Sequence, residues 1–179
     1  MIEAYERAQN SEYIPGVMAP LLNVNGYSNI RILEKLNLKE VYSSKFEEPK
    51  YAAGPDRKLE SDPKVAKFFW GEGGYVPQID ELNRILWKEE KKEYACPIRF
   101  SIGAILFERS TWERMGYFQV NRSTNAMGVD EAQLCTYCCL SSRALMVSDN
   151  IIAGHFSFGP QTADMKSYYE EHKDIFAIH

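Results

Sequence analysis

Phe100-Ser-Ile-Gly-Ala-Ile-Leu-Phe107, Met127-Gly-Val-Asp-Glu-Ala-Gln-Leu-Cys135 and Gly154-His-Phe-Ser-Phe158 follow one another in the second half of this 179-residue chain. The first reads as an apolar strand broken by small residues, the second as a helix opening on two carboxylates, and the third as a strand end carrying a histidine. Two adjacent carboxylates followed by a single histidine point to acid/base chemistry beside a cation or phosphate.

Around the first signature, Ile98, Phe100, Ile102, Ala104 and Leu106 alternate with Arg99, Ser101, Gly103, Ile105 and Phe107. The alternation predicts a strand from Pro97, buried over its second half. Gly103 then has two readings: a ligand or backbone approaches closely there, or the strand bulges. Ser110 or Thr111 is expected to cap a short helix that closes at Met115-Gly116. Trp112 and Phe118 read either as core or, for Trp112, as a platform for a ligand ring.

Asp130 and Glu131 open a helix running to about Leu140. The positive end of the helix dipole favours carboxylates by about 0.3–1 kcal/mol, so their placement is consistent with ordinary capping as well as with catalysis. His155 follows the apolar strand Ile151–Gly154 and is either a satisfied structural histidine or a ligand for a cation or diphosphate. Cys135, Cys138 and Cys139 could join His155 in a Cys3His zinc site. The three thiols also fall at i, i+3 and i+4, which makes a core stripe of small buried residues.

The order of these signatures, with Trp112-Glu-Arg-Met-Gly-Tyr-Phe118 between the first two, resembles the acceptor half of nucleotide-sugar glycosyltransferases of the GT-A fold, especially family 2. The match covers roughly residues 97–161, with a fainter echo around 13–27. The resemblance implies a catalytic base among Asp130 and Glu131, which takes the proton of an acceptor hydroxyl as it attacks the anomeric carbon. The family pattern is Glu-Asp where this chain has Asp-Glu, and registration on Leu134-Cys135 puts Glu131 at the base position. Ser101, Gly103, Trp112 and Gly128 are implied as substrate-binding residues. His155 is implied as a ligand of a divalent cation, Mn2+ or Mg2+, that neutralises the departing diphosphate.

The departures are as informative. These enzymes begin with a nucleotide-binding βαβ half ending in Asp-x-Asp, and this sequence contains no Asp-x-Asp. Gly71-Glu-Gly-Gly74 precedes Tyr75 and Pro77 and reads as a loop rather than a phosphate cradle. The chain is therefore expected to be an α/β or α+β domain, a partial GT-A-like unit with a short mixed sheet flanked by helices, lacking the N-terminal nucleotide-binding βαβ half. Its expected partners are a nucleotide-sugar donor, a saccharide acceptor and the missing half.

Length fits one domain spanning residues 1–179, and 45% hydrophobic residues suffice for a packed core. A net charge of −4 gives no basic field for nucleic acid, and no run of about 18 apolar residues could span a membrane. The opening lacks the features of a signal peptide, so a cytoplasmic location is expected, at the inner face of a membrane for enzymes of this kind.

In the first half, residues 1–9 read as a short helix and 16–25 as an extended segment with loops, broken by Pro15-Gly16 and Pro20. Ser28 is the predicted N-cap of a helix through Leu36, and residues 43–63 a surface loop. Asp62-Pro63 reads as N-cap and first position of a helix carrying Val65, Ala66, Phe68 and Phe69. Residues 77–90 form an amphipathic helix, followed by a solvated charged end, Glu89–Glu93. The C-terminal stretch 162–176 is a predicted helix with Met165, Tyr168 and Tyr169 inward, approached by a flexible Gly159-Pro160-Gln161. Two functions follow: a glycosyltransferase completed by a donor half, or a noncatalytic module of the same descent that binds a saccharide or a protein.

Overall fold

A computed structural model describes residues 1–48, 59, 61–96, 103–118 and 129–176. Among these residues the fold is α/β, with eight α-helices around a three-stranded mixed sheet of order β1-β3-β2. Helix α1 (Ile2–Gln9) leads into β1 (Pro15–Leu22), followed by α2 (Gly26–Lys35) and α3 (Lys39–Lys45). Helices α4 (Pro63–Phe69) and α5 (Ile79–Trp87) precede the short β2 (Glu93–Ala95). Then come α6 (Arg109–Arg114), α7 (Val129–Leu140), β3 (Ala144–Ala153) and α8 (Thr162–Glu171). No helix among the described residues is long and apolar enough to cross a membrane.

Strand β1 is the main correction to the sequence reading, because Pro15-Gly16 and Pro20 do not break it: all eight residues are buried in one strand. Met18 faces Ala4, Tyr5, Ala8 and Met146, while Val17 and Ala19 face Leu134 and Cys138. A strand covered on both sides reads as a continuous apolar run rather than an alternation, which is why period 2 is missing from it. Pro20 is tolerated because the ladder with β3 shifts register at that point, between the pairs Pro20–Ser148 and Leu21–Ile152.

That shift leaves Asp149, Asn150 and Ile151 of β3 without β1 partners, and two of their side chains organise the helices around them. Asp149 is buried and accepts Arg31 Nη2 at 2.7 Å and Lys35 Nζ at 3.1 Å, fastening α2 to the sheet. Asn150 donates to Leu86 O and Glu90 O and accepts Lys92 N–H at 2.9 Å, closing the open carbonyl end of α5. The run Glu89–Glu93 is solvated, as expected, at Glu90, Lys91 and Lys92, whereas its two ends are held in ion pairs. Glu89 accepts Lys35 Nζ at 2.5 Å, and Glu93, in β2, accepts Arg7 Nη2 at 2.6 Å.

The large core unites α2, α3, α4, α5 and α8 with Leu21, Val147 and Ile152. Asp62 caps α4 as expected, its carboxylate accepting Lys64 N–H at 2.9 Å, and Val65, Ala66, Phe68 and Phe69 are buried. Helix α2 starts two residues before Ser28, and the cap is Asn25, whose Oδ1 accepts Ser28 N–H at 3.4 Å. Ser28 Oγ instead accepts Leu22 N–H at 2.9 Å and closes the end of β1.

The surface loop expected over 43–63 is shortened by α3, which runs to Lys45, and Leu59 is fully buried; residues 49–58 and 60 lie outside the described residues. Helix α6 begins at Arg109 with Glu108 at the cap position, not Ser110 or Thr111, and Thr111 is buried. Gly116 has φ 81° just past its end, as the glycine stop requires. Of the strand expected over 97–107, residues 97–102 lie outside the described residues; beyond them a bend at Gly103 leads to a single antiparallel bridge, Leu106 to Met18. Met165 and Tyr168 point inward on α8, whereas Tyr169 is 39% exposed.

Candidate functional site at the carboxyl ends of the parallel strands

Strands β1 and β3 run parallel, so both end on the same edge of the sheet, where open α/β sheets place their ligands. Beyond β1 come Asn23 and the turn into α2; beyond β3 come Gly154 and His155. Asn23 is fully buried and joins the two, its Oδ1 accepting His155 N–H at 2.6 Å. Trp70, at the end of α4, donates its indole N–H to His155 O at 3.1 Å and Phe156 O at 3.2 Å. The exit from β3 is thus gripped from both sides, which fixes the backbone that carries the imidazole.

The His155 ring lies against Phe158, with centroids 4.8 Å apart, and against Gly103. A methyl on Gly103 would come within 3.0 Å of His155 Cδ2 and 3.4 Å of Leu22 Cδ1. Gly103 therefore answers to a close approach, and the approaching group is the histidine itself. Burial holds the imidazole below its ordinary pKa of 6.5, so the ring is neutral at pH 7. Its Nδ1 is buried with no hydrogen-bond partner. A neutral ring in a partly dry site can accept or donate one hydrogen bond to a ligand.

Helix α7 brings the carboxylates toward the same edge. Its last turns lie beside the beginning of β1, where a methyl on Gly16 would meet Cys138 Sγ at 2.6 Å. One turn earlier, Leu134 packs with Val17 and Ala19, so the helix runs antiparallel to the strands and its start points to their carboxyl ends. Gln133 ties that first turn to the end of α6, donating to Met115 O at 3.1 Å and Tyr117 O at 2.6 Å. Asp130 and Glu131 are both half-buried, and Asp130 Oδ1 accepts Glu131 N–H at 2.9 Å, which is ordinary first-turn bonding.

The remaining sequence-derived residues are distributed as follows. Trp112 is half-buried and packs edge-on against Tyr117 at 4.8 Å, with Phe118 at 6.4 Å, and its indole N–H is buried without a partner. Its described ring contacts are with the turn just past its own helix. Ser101 and Gly128 lie outside the described residues.

The Cys3His zinc arrangement does not form. Cys138 is at the amino end of β1 and His155 past the far end of β3, roughly 30 Å away along an extended strand. Burial pushes the Cys138 thiol up to about 11, as for a core residue. Among the described residues no three His, Cys, Asp or Glu side chains converge as metal ligands, so these residues do not by themselves fit a divalent cation at His155.

The sequence reading missed Asn23, Trp70 and Gln161. Gln161 is fully buried and donates to Leu59 O at 2.5 Å and Asp62 O at 2.9 Å, while its Oε1 accepts Phe158 N–H. The segment expected to be a flexible approach is therefore a tied-down turn. Polar residues directly after an apolar strand, as in Leu22-Asn23, and the lone Trp70-Gly71 step at a helix end were the available signals. Next to this edge, between α5 and the C-terminal turn Lys173–Phe176, lies a cavity of about 320 Å³ reaching Trp70 and Gly154. Comparisons with protein-family models, curated protein sequences and solved structures gave no match.

Proposed function

We propose that this chain is the acceptor-side half of a nucleotide-sugar glycosyltransferase of GT-A descent, transferring a sugar to a saccharide or other hydroxyl acceptor in concert with a donor-binding half. The observation that carries the reading is the approach of Gly103 to His155 at the carboxyl ends of two adjacent parallel strands, the edge toward which α7 directs its start. A cytoplasmic location at the inner face of a membrane goes with this reading.

In the proposed reaction, Glu131, with Asp130 as its neighbour, accepts the proton of the acceptor hydroxyl. The hydroxyl oxygen bonds to the anomeric carbon, and the bond from that carbon to the nucleotide diphosphate breaks with its electrons going to the diphosphate. A base is needed because a hydroxyl is a weak nucleophile at neutral pH. The neutral His155 orients a hydroxyl by a single hydrogen bond. The Mn2+ or Mg2+ that the resemblance implies would need ligands from outside the described residues, so no step runs through it.

A second reading, a noncatalytic saccharide- or protein-binding module, is favoured by the hydrogen bond that Asp130 spends on Glu131 N–H. Incubating the chain together with a donor-binding GT-A half, labelled nucleotide sugars, Mn2+ and a panel of oligosaccharides, alongside Asp130→Asn and Glu131→Gln, separates the two. Transfer that falls at least 100-fold in Glu131→Gln while oligosaccharide binding persists is the expected result. Binding with no transfer under any donor favours the module; a folded protein that binds neither nucleotide nor saccharide overturns both.

A further inference from the structure

We propose that His155 serves its ligand as a hydrogen-bond donor, through Nε2–H, to a sugar or phosphate oxygen, and that it is not a metal ligand. The identity of the ligand rests on the transferase reading; the choice of nitrogen does not.

The two ring nitrogens have different surroundings. Nδ1 is buried and has no hydrogen-bond partner. The backbone of the same residue is already engaged, since Asn23 Oδ1 holds His155 N–H at 2.6 Å and His155 O accepts the Trp70 indole N–H at 3.1 Å. A neutral imidazole has one N–H and one lone pair, so one of the two is enclosed at Nδ1. An enclosed N–H without an acceptor is the costlier, because the donor gives up its water and gains no partner. The proton therefore sits on Nε2.

Nε2 is also the nitrogen that a ligand can reach. Among the described residues it has no hydrogen-bond partner, yet unlike Nδ1 it is not enclosed. The Cδ2–Nε2 edge of the ring faces Gly103, where a Cβ would lie 3.0 Å from Cδ2 and 3.7 Å from Nε2. Gly103 is exposed and contributes no side chain that would screen this edge. The edge lies past the carboxyl ends of β1 and β3, where open sheets receive their ligands.

The same asymmetry separates His155 from a metal-binding histidine. A metal on Nε2 takes the lone pair there and moves the proton to Nδ1, and metal-ligating histidines almost always donate that second N–H to a carboxylate, a carbonyl or water. Here that N–H would be shut in without an acceptor. Among the described residues no group of three metal-binding side chains includes the ring. A donor needs only one oxygen lone pair, and it leaves the hydroxyl protons of the ligand free for the carboxylates of α7.

The test is multiple-bond 1H–15N NMR of the whole 15N-labelled chain above pH 7, with the three histidines assigned through the backbone. The spectrum is repeated with excess Zn2+, which imidazole holds more tightly than Mn2+, with neutral oligosaccharides and with UDP. The expected result is a protonated Nε2 and an unprotonated Nδ1 in His155, unmoved by Zn2+, with Nε2 shifted by oligosaccharide or by UDP. Which of the two shifts it identifies sugar or phosphate as the source of the oxygen. In calorimetry with that ligand, His155→Gln, whose amide keeps a donor, should bind within about threefold of wild type, and His155→Phe about tenfold more weakly. A proton on Nδ1, or an Nε2 signal moved by Zn2+, overturns the inference and leaves the transferase reading standing; both are read on the wild-type chain, so neither depends on a variant that folds. Ligands that bind without shifting Nε2, or a folded His155→Phe that binds as tightly as wild type, overturn it as well. A folded chain that binds neither oligosaccharide nor UDP overturns the ligand assignment together with the transferase reading.

Discussion

Replacing Gly154 by alanine probes how the β3 exit is held. A Cβ at this position would lie 2.6 Å from Trp70 Cη2 and 3.3 Å from Trp70 Cζ2. Carbon atoms in contact prefer about 3.5–4.0 Å, so the rigid indole must retreat by about 1 Å. It cannot do so freely, since its N–H bonds to His155 O and Phe156 O and its ring packs on Phe176. Overpacking of this kind costs about 1–3 kcal/mol, and loosening a buried hydrogen bond adds about 1 kcal/mol, for a total of about 2–4 kcal/mol. For a domain of this size that corresponds to a fall in Tm of roughly 5–15 °C. Gly159→Ala is the internal control, because nothing lies within 4 Å of a Cβ there and neither glycine has positive φ. Urea and thermal unfolding of both variants, with the Trp70 indole proton followed by NMR, supply the measurement. A Gly154→Ala protein that unfolds within about 0.5 kcal/mol of wild type, or no differently from Gly159→Ala, refutes the argument.

Two further outcomes are expected. Asp149→Ala should cost about 3 kcal/mol in urea unfolding, the low end for breaking a buried ion pair, because Glu34 and Glu89 keep Arg31 and Lys35 partnered; a loss under about 1 kcal/mol would count against the buried network. Because burial lowers the His155 pKa, protonation favours the unfolded chain: stability is unaffected above pH 6.5 and falls as pH drops from 6.5 toward the lowered native value. His155→Gln should flatten that slope, and a native NMR titration midpoint at or above 6.5 would contradict it.

Much of the framework is legible locally. The Asp62-Pro63 helix start, the amphipathic stripe of α5 and the Gly116 stop each depend on a few neighbouring residues whose preferences act over one or two turns. The carboxylates opening α7 are legible for the same reason, as is the end of β3 at Ile151–Ala153, whereas its longer first part from Ala144 is not.

What the sequence determined by itself, then, is the set of helices with clear caps and stripes, a mixed helix-and-strand class left open between α/β and α+β, and the candidates Asp130, Glu131 and His155. Tertiary structure decided the rest, because the deciding contacts are far apart in the chain. β1 is a strand despite Pro20 because β3, some 130 residues later, covers it and shifts register at the proline. Glu93 is half-buried in pairing with Arg7 across 86 residues, and Gly103 is glycine where the His155 ring closes on it. Burial and pairing across such distances leave no periodic trace in the sequence, since each depends on which surfaces the folded chain brings together.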